Sequence, residues 1–325
     1  MGSEATISQA VLLVGGLGTR LRPLTYQRPK ALMPVLNRPL ISYELELLAR
    51  HGVRDVILAV SHGAGEIEAE LGDGAQWGVR LRYVEEVEPL GTGGAIKNVE
   101  ALIEGPFLAM NGDLILDVDL GPVMAEHLAS GAILTLCLRR VEDVSPYGLI
   151  RRDEDGWVTA FLEKRPLDDT GQNTVNSGVY VMAPEILDHI PAGRDCSNEY
   201  ELFPSLIDTT PGVRGHVPER WGYWNDIGRL GNYLDANRAL LDGAVPWVGP
   251  ENDAEARGPC LIAGSARVEA SAVVGPHVTI GEGAVVGEGA QVRGSVLWPG
   301  AHVAANARVS DCVVGGPEEV VGHDR

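Results

Sequence analysis

Apolar residues in the first part of the chain fall into short runs, at 10–14, 56–60, 81–84, 107–110 and 133–138. Longer stretches with one apolar and one polar face lie between them, at 41–51, 65–71, 93–103 and 123–130. Runs without polar alternation are expected of strands buried on both faces, and amphipathic stretches of the helices that cover them. The alternation therefore predicts an α/β domain built on a Rossmann-like, mostly parallel sheet. From 147 to 182 the pattern turns to strand-like runs broken by turn signals, and 230–241 reads as a helix that closes the domain. Ligands of such sheets bind beyond the carboxyl ends of the strands, so the loops after the runs are where chemistry is expected.

Past a segment rich in Gly, Pro and acidic residues, the period changes. From Leu261 the chain can be written in sixes, LIAGSA, RVEASA, VVGPHV, TIGEGA, VVGEGA, QVRGSV, with Ile262, Val268, Val274, Ile280, Val286 and Val292 in the second place. The register slips by one residue before Leu297 and resumes through Val303 and Val309. A β-sandwich would alternate with period two; a period of six belongs to a small left-handed parallel β-helix, whose aliphatic row points into a narrow prism. The expected organisation is the α/β domain over 1–242, a linker over 243–259 and the β-helix over 260–325. The open edges of the end coils favour self-association, so the tail is expected to build a homo-oligomer, and truncation after Asp242 to leave a soluble α/β domain of smaller oligomeric order.

Composition narrows the partners. Among 325 residues, 45 Asp and Glu face 26 Lys and Arg, a net charge of -19, with no basic cluster of the kind that tracks a phosphate backbone, which argues against nucleic acid. A phosphate site in so acidic a chain has to be a local convergence of a few cations and backbone N–H groups. Cys137, Cys196, Cys260 and Cys312 are scattered and form no CxxC pair. They read as reduced thiols of a cytoplasmic protein. No apolar run approaches the ~20 residues of a membrane span, and the polar start lacks the apolar core of a signal peptide, so no membrane partner is expected.

The loop after the first strand reads VGGLGTRLRP from Val14 to Pro23. Glycines at a strand end let backbone N–H groups approach a phosphate, and an Arg just beyond neutralises it. It is not a Walker A loop, since no Gly-Lys-Ser/Thr follows, and not GxGxxG, since Leu21 stands at the third glycine. The longer string GGLGTRLRPLTYQRPKALMPVLNRPL over 15–40 is far more specific. With EPLGTGGAI (88–96), NGD (111–113), YGLI (147–150), FLEKRP (161–166), NSGVY (176–180) and YWNDIG (223–228), it resembles the nucleoside-diphosphate-sugar pyrophosphorylases, that is, the sugar-1-phosphate nucleotidylyltransferases. The hexapeptide tail makes the resemblance strongest to their mannose-1-phosphate guanylyltransferase branch.

The resemblance implies transfer of a nucleotidyl group from a nucleoside triphosphate to a sugar 1-phosphate, with pyrophosphate released and Mg²⁺ as cofactor. Carried over residue by residue, Asp113 and Asp226 are the metal ligands and Arg20 and Lys30 the pyrophosphate clamp. Gly15, Gly16, Gly18, Thr19, Glu86, Gly91 and Asn111 bind the nucleotide. Lys164 meets the sugar phosphate, with Gly148, Glu163 and Asn176 around the sugar. Glu86 could accept both the N1 hydrogen and the amino group of guanine, whereas uracil and thymine offer one such donor, so GTP is the expected triphosphate and mannose 1-phosphate the expected acceptor. Glucose-1-phosphate thymidylyl or uridylyl transfer and heptose-1-phosphate guanylyl transfer stay open. A non-catalytic regulatory or scaffold subunit is the reading from another class; such chains typically lose parts of the signature, and here Arg20, Lys30, Asp113 and Asp226 all stand. A tail acting as an acyltransferase through His277 or His302 is disfavoured, because so few hexads make only about three coils.

Overall fold

The computed structural model describes residues 6–144, 147–162, 171–246, 258–316 and 319–322. By packing, the chain divides into two compact units, one formed by 1–16, 44–112 and 118–221, the other by 17–43, 113–117 and 222–325.

The first unit is built on a nine-stranded sheet. Strands Arg80–Glu85, Asp55–Val60, Gln9–Val14 and Phe107–Asn111 lie side by side and parallel, with Val11 opposite Ile57 and Ala109. Beyond them Thr174–Met182 runs antiparallel to Phe107–Asn111 and to Leu134–Arg140. The predicted apolar runs are these strands, and the amphipathic stretches are the helices Ser42–Arg50, Ala64–Leu71, Gly91–Asn98 and Gly121–Ser130. Val11, Ile57, Phe107, Ala109, Leu134, Tyr180, Met182 and Phe203 form a core that excludes solvent. Tyr180 meets Phe203 edge-on at 5.0 Å. Burying each large side chain contributes about 1.5–3 kcal/mol, which is what continuous apolar strands supply to a sheet covered by helices.

In the second unit the hexads coil as three parallel sheets. Ile262 lies opposite Ile280, Val268 opposite Val286 and Val274 opposite Val292, so these coils repeat after three hexads. The slip before Leu297 is real: Ile280 pairs with Leu297, one residue early, and Gly294 turns the shortened corner at φ +56°. A second slip, absent from the hexad count, follows Val309, because Leu297 pairs with Val314 and Asp311 turns that corner at φ +54°. The final strand Cys312–Gly316 is covered by an antiparallel return, Glu319–Gly322, so the chain itself closes one of the edges expected to be open.

The tail is no separate bead within this unit. Val296, Trp298 and Val313 share one core with Leu21, Leu24, Met33, Val35, Tyr43, Ile115, Ile227, Tyr233 and Leu240. Arg238 on the helix Leu230–Leu241 donates to Asp311 at 2.6 Å and to the Gly294 carbonyl at 3.0 Å, while His277 meets Asp242 at 2.8 Å. The expectation that the tail can be cut away harmlessly does not fit this packing, since its loss would strip water-excluding cover from that core.

Two predictions follow from these cores. Truncation after Asp242 is expected to give a chain that aggregates or loses cooperative unfolding, which light scattering and denaturation followed by circular dichroism will report. A soluble, cooperatively folded fragment would contradict it. The second concerns His127, buried on the helix Gly121–Ser130 with Nδ1 2.9 Å from the Thr135 hydroxyl. Burial pushes its pKa down from 6.5 to about 4. The unfolded chain therefore binds the extra proton first, so the stability held above pH 6.5 is lost as pH falls towards 4, by about 3 kcal/mol for this one group. Urea unfolding at pH 7 and pH 4 should show wild type losing that much more than His127→Gln; equal pH slopes would contradict it.

Candidate active site

In the first unit, parallel strands deliver residues from distant parts of the sequence to one sheet edge. Gly15 follows Gln9–Val14, Ser61 follows Asp55–Val60, Glu86 follows Arg80–Glu85, and Asn111 ends Phe107–Asn111. The Ser61 hydroxyl donates to the Gly15 carbonyl. A Cβ on Gly15 would stand 3.2 Å from Ser61 Oγ and 3.6 Å from Glu86 Oε1, whereas one on Gly16 would meet nothing within 4 Å. Gly16 is exposed, so its backbone is open to a ligand. Glu86 is buried, and Oε2 accepts the Leu90 N–H at 3.0 Å, leaving Oε1 for another donor. Loss of water raises its pKa, partly offset by that N–H. Asn111 Oδ1 is buried without a partner, an acceptor waiting at the strand end.

The helix that starts at Gly91 is held by a neighbouring segment. Gly93 and Gly94 donate to the Cys196 carbonyl at 2.8 and 3.3 Å, and Cys196 donates to the Leu90 carbonyl at 2.9 Å. Gly91 sits at φ +69°, where a Cβ would come 2.2 Å from Asp195 Oδ1 and 2.7 Å from the Cys196 carbonyl. Only glycine fits.

Asn176 lies on the strand Thr174–Met182 beside a register shift. Its amide donates to the Tyr180 hydroxyl at 2.8 Å, which donates to Glu199 at 3.3 Å; Thr92 and Ser197 also donate to Glu199, each at 3.4 Å. Sequence reasoning missed Glu199 and Tyr180. The one available signal was a NEYELF string without helical or strand periodicity, which folds as a π-helix over Asn198–Leu202, a form often found at functional sites. Gly148 is half-buried in the same unit, while Glu163 and Lys164 lie outside the described residues.

The second unit collects the charged candidates. Gly18 takes φ +57° and its carbonyl accepts from Thr25 Oγ1 at 3.0 Å and from the Leu21 N–H at 2.8 Å, which turns the chain into the short helix Thr19–Leu21. Thr19 and Arg20 are exposed there. Lys30 makes an ion pair with Asp113 Oδ2. The Ile227 N–H donates to the Asp113 carbonyl at 3.0 Å, tying the two carboxylate-bearing segments together. A Cβ on Gly228 would lie 3.0 Å from Arg20 Nη2 and 3.2 Å from Asp226 Oδ1, so both groups converge on this glycine.

Asp226 lies in a half-buried rather than fully buried segment, yet its Oδ1 is shut from water without a hydrogen-bond partner. Burial first, then the charge of Asp113, raises its pKa, and Lys30 and Arg20 work against that rise. An orphaned carboxylate oxygen beside a second carboxylate fits a divalent cation. No group of three His, Cys, Asp or Glu that could hold a metal occurs among the described residues.

The family model described as "Nucleotidyl transferase" matches residues 9–243, and one described as "GMPPB C-terminal domain" matches 256–323. A mannose-1-phosphate guanylyltransferase of Mycobacterium tuberculosis is 35% identical over 298 residues, 91% of this chain and 81% of that protein. A UTP–glucose-1-phosphate uridylyltransferase of Synechocystis sp. is 31% identical, over 95% of this chain and 87% of its own. The crystal structure of HddC from Yersinia pseudotuberculosis complexed with GMP-PN superposes with a TM-score of 0.60 at 30% identity, covering 72% of this chain and all of that one.

Geometry separates the glycines of the loop into two kinds. Gly18→Ala puts a methyl 2.7 Å from Thr25 Cγ2 in a left-handed conformation. It is expected to destabilise the chain by about 1–3 kcal/mol. Gly16→Ala, with open space around it, should stay within about 0.5 kcal/mol of wild type. Chemical denaturation of the two variants checks the contrast, and equal losses would contradict it.

Proposed function

The chain belongs to the sugar-1-phosphate nucleotidyltransferase family and is an enzyme of nucleotidyl transfer, and on that premise we propose that it joins GTP to mannose 1-phosphate, giving GDP-mannose and pyrophosphate. The observation that carries the proposal is the convergence of Lys30, Asp113, Asp226 and Arg20 in one packed unit. In the reaction a sugar-phosphate oxygen forms a bond to the α-phosphorus while the bond from that phosphorus to the bridging oxygen of pyrophosphate breaks. Both reactants are polyanions, so charge must be neutralised before they meet.

Enzymes of this family generally use a divalent metal, and we assign Mg²⁺ to Asp113 and Asp226, whose carboxylates would hold it and where it would supply charge neutralisation to the reacting phosphates. Lys30 and Arg20 hold the pyrophosphate portion, the ammonium as a point charge and the guanidinium as a fork for paired oxygens. Gly15, Gly16, Gly18 and Thr19 present backbone to the phosphates, with Gly91 and Asn111 completing the nucleotide contacts. Glu86 reads the base: guanine offers a carboxylate two adjacent donors, N1–H and the amino group, against one on uracil or thymine, which supports GTP, and Oε2 keeps a second lone pair beyond the one that accepts the Leu90 N–H. Gly148, Glu163, Lys164 and Asn176 are assigned to the sugar 1-phosphate. Uridylyl transfer is the second reading, favoured by the Synechocystis relative's name. The retained charged cluster speaks against a non-catalytic scaffold.

The spans of the two family models support a catalytic domain over 1–242, a linker over 243–259 and a β-helix domain over 260–325. Homo-oligomer formation through the outer faces of the β-helix and a cytoplasmic setting complete the proposal. All four cysteines are free and buried, and no helix among the described residues is long and apolar enough to cross a membrane.

Pyrophosphate release should be highest for GTP with mannose 1-phosphate in a panel crossing GTP, UTP, dTTP, ATP and CTP with mannose, glucose and heptose 1-phosphates. Under Mg²⁺, Asp113→Asn and Asp226→Asn are each expected to lower turnover by at least ~100-fold with the fold intact. Near-normal turnover in either variant would remove its assignment as a ligand.

A further inference from the structure

In the unit that carries Arg20, Lys30, Asp113 and Asp226, a buried polar chain runs from the β-helix to the hairpin that follows Lys30. Trp298 lies on the coil that contains the first register slip, is 4% exposed, and donates its indole N–H to the Tyr233 hydroxyl at 2.9 Å. Tyr233, fully buried on the helix Leu230–Leu241, donates its hydroxyl in a hydrogen bond to the Pro34 carbonyl. One helical turn on, Asn237 accepts the Leu36 N–H at 3.1 Å and donates to the Tyr233 carbonyl at 2.9 Å. From the other side of the hairpin, the Asn37 amide donates to the Ile280 carbonyl of the β-helix at 2.9 Å.

The hairpin so held is strained. Pro34–Val35 pairs with Arg38–Pro39 through a two-residue turn in which Leu36 and Asn37 take φ +44° and +61°, a left-handed pair without a glycine. Side chains other than glycine hold such a turn when the surroundings over-determine it, and here those surroundings are Asn237 and the β-helix. The hairpin closes back on the Lys30 turn: Met33 donates to the Lys30 carbonyl at 3.1 Å, Leu40 to the Met33 carbonyl and Ile41 to the Ala31 carbonyl, both at 3.0 Å. Whatever fixes the hairpin fixes the backbone from which Lys30 reaches Asp113.

We infer that the β-helix is a working part of the catalytic unit, with Trp298 acting through Tyr233 as a positioning residue for Lys30. The inference rests on the assignment of Lys30 to the triphosphate. Neither Trp298 nor Tyr233 touches substrate; they set the distance at which the ammonium meets the leaving pyrophosphate, a placement to which the rate is sensitive.

The test uses the full chain with Mg²⁺, GTP and mannose 1-phosphate, or whichever pair of substrates the panel selects. Tyr233→Phe keeps the ring and removes the hydroxyl, and Trp298→Phe keeps an aromatic ring of smaller volume and removes the indole N–H, singly and together. Val273→Ala, a half-exposed tail position away from the chain of bonds, is the control. Each variant's thermal midpoint is measured first, and kinetics are run well below it. Each single variant is expected to lower kcat/KM for the triphosphate about 3- to 30-fold, with KM for the sugar 1-phosphate unchanged, and the double variant to be no worse than the poorer single one. Wild-type kinetics in either single variant, additive losses in the double, or an equal rise in both KM values overturns the inference while leaving the proposed reaction standing. A wild-type chain that transfers no nucleotide with any pair in the panel overturns both.

Discussion

The ion pair between Lys30 and Asp113, made beside the buried carboxylate of Asp226, is the interaction around which the charged unit is organised. Withdrawal from water, and after it the charge of Asp113, raises the cost of ionising Asp226. Lys30 and Arg20 offset only part of that cost, so Asp226 keeps a raised pKa and an oxygen without a partner. A fold bears such a site only if the backbone around it is rigid enough to stop the carboxylates turning away to water. That rigidity comes from the pairing of the strands Leu114–Val118 and Trp221–Asp226, which sets Asp113 just before one strand and Asp226 at the end of the other. It comes as well from the apolar core of Leu21, Leu24, Met33, Ile115, Ile227 and Tyr233 beneath them.

The other unit meets a different constraint, which is access. On the proposed assignment phosphates and a base approach backbone at a sheet edge that is otherwise crowded, and glycine is used where crowding and access conflict. Gly91 is forced by the carbonyl of Cys196 and the carboxylate of Asp195, as Gly18 in the charged unit is forced by Thr25. Gly16 is forced by neither; nothing in the protein would meet its side chain, so its smallness matters only to what binds there. The buried Glu86 and the unpartnered Asn111 oxygen are polar groups at the carboxyl ends of parallel strands, where ligands of such sheets bind.

Much of this was legible in the order of residues. Strands, covering helices and the six-residue repeat follow from local periodicity, and even the slip at Leu297 shows as a missing residue in the count. The second slip does not, because after Val309 the repeat has no further unit against which to measure it; Asp311 in a left-handed corner reveals it only in three dimensions. The network joining Asn176 to Glu199 through Tyr180 was invisible for another reason. Its members lie far apart in sequence, and a π-helix has no simple apolar period. The docking of Trp298 on Tyr233 is likewise tertiary: an aromatic in a hexad reads as an irregularity, and nothing local says which surface it faces.

The histidines of the tail show how the same residue type changes meaning with its surroundings. His277 was a formal candidate for a general base, yet it stands at a left-handed corner, φ +57°, with Nε2 on Asp242, the residue that ends the helix Leu230–Leu241. A carboxylate at a helix C-terminus is poorly placed, since it adds negative charge where the helix dipole is already negative. The last turn of this helix answers with cations: Arg238, which bridges to Asp311, and His277 across from Asp242 when it carries its proton. Each such pair is partly exposed and contributes at most about 1 kcal/mol, so neither holds the tail in place alone. Their value is directional, because a helix end that offers Arg238 to Asp311 and Asp242 to His277, each at a left-handed corner of the β-helix, selects one seating of the coils, and that seating is the one that brings Trp298 to Tyr233.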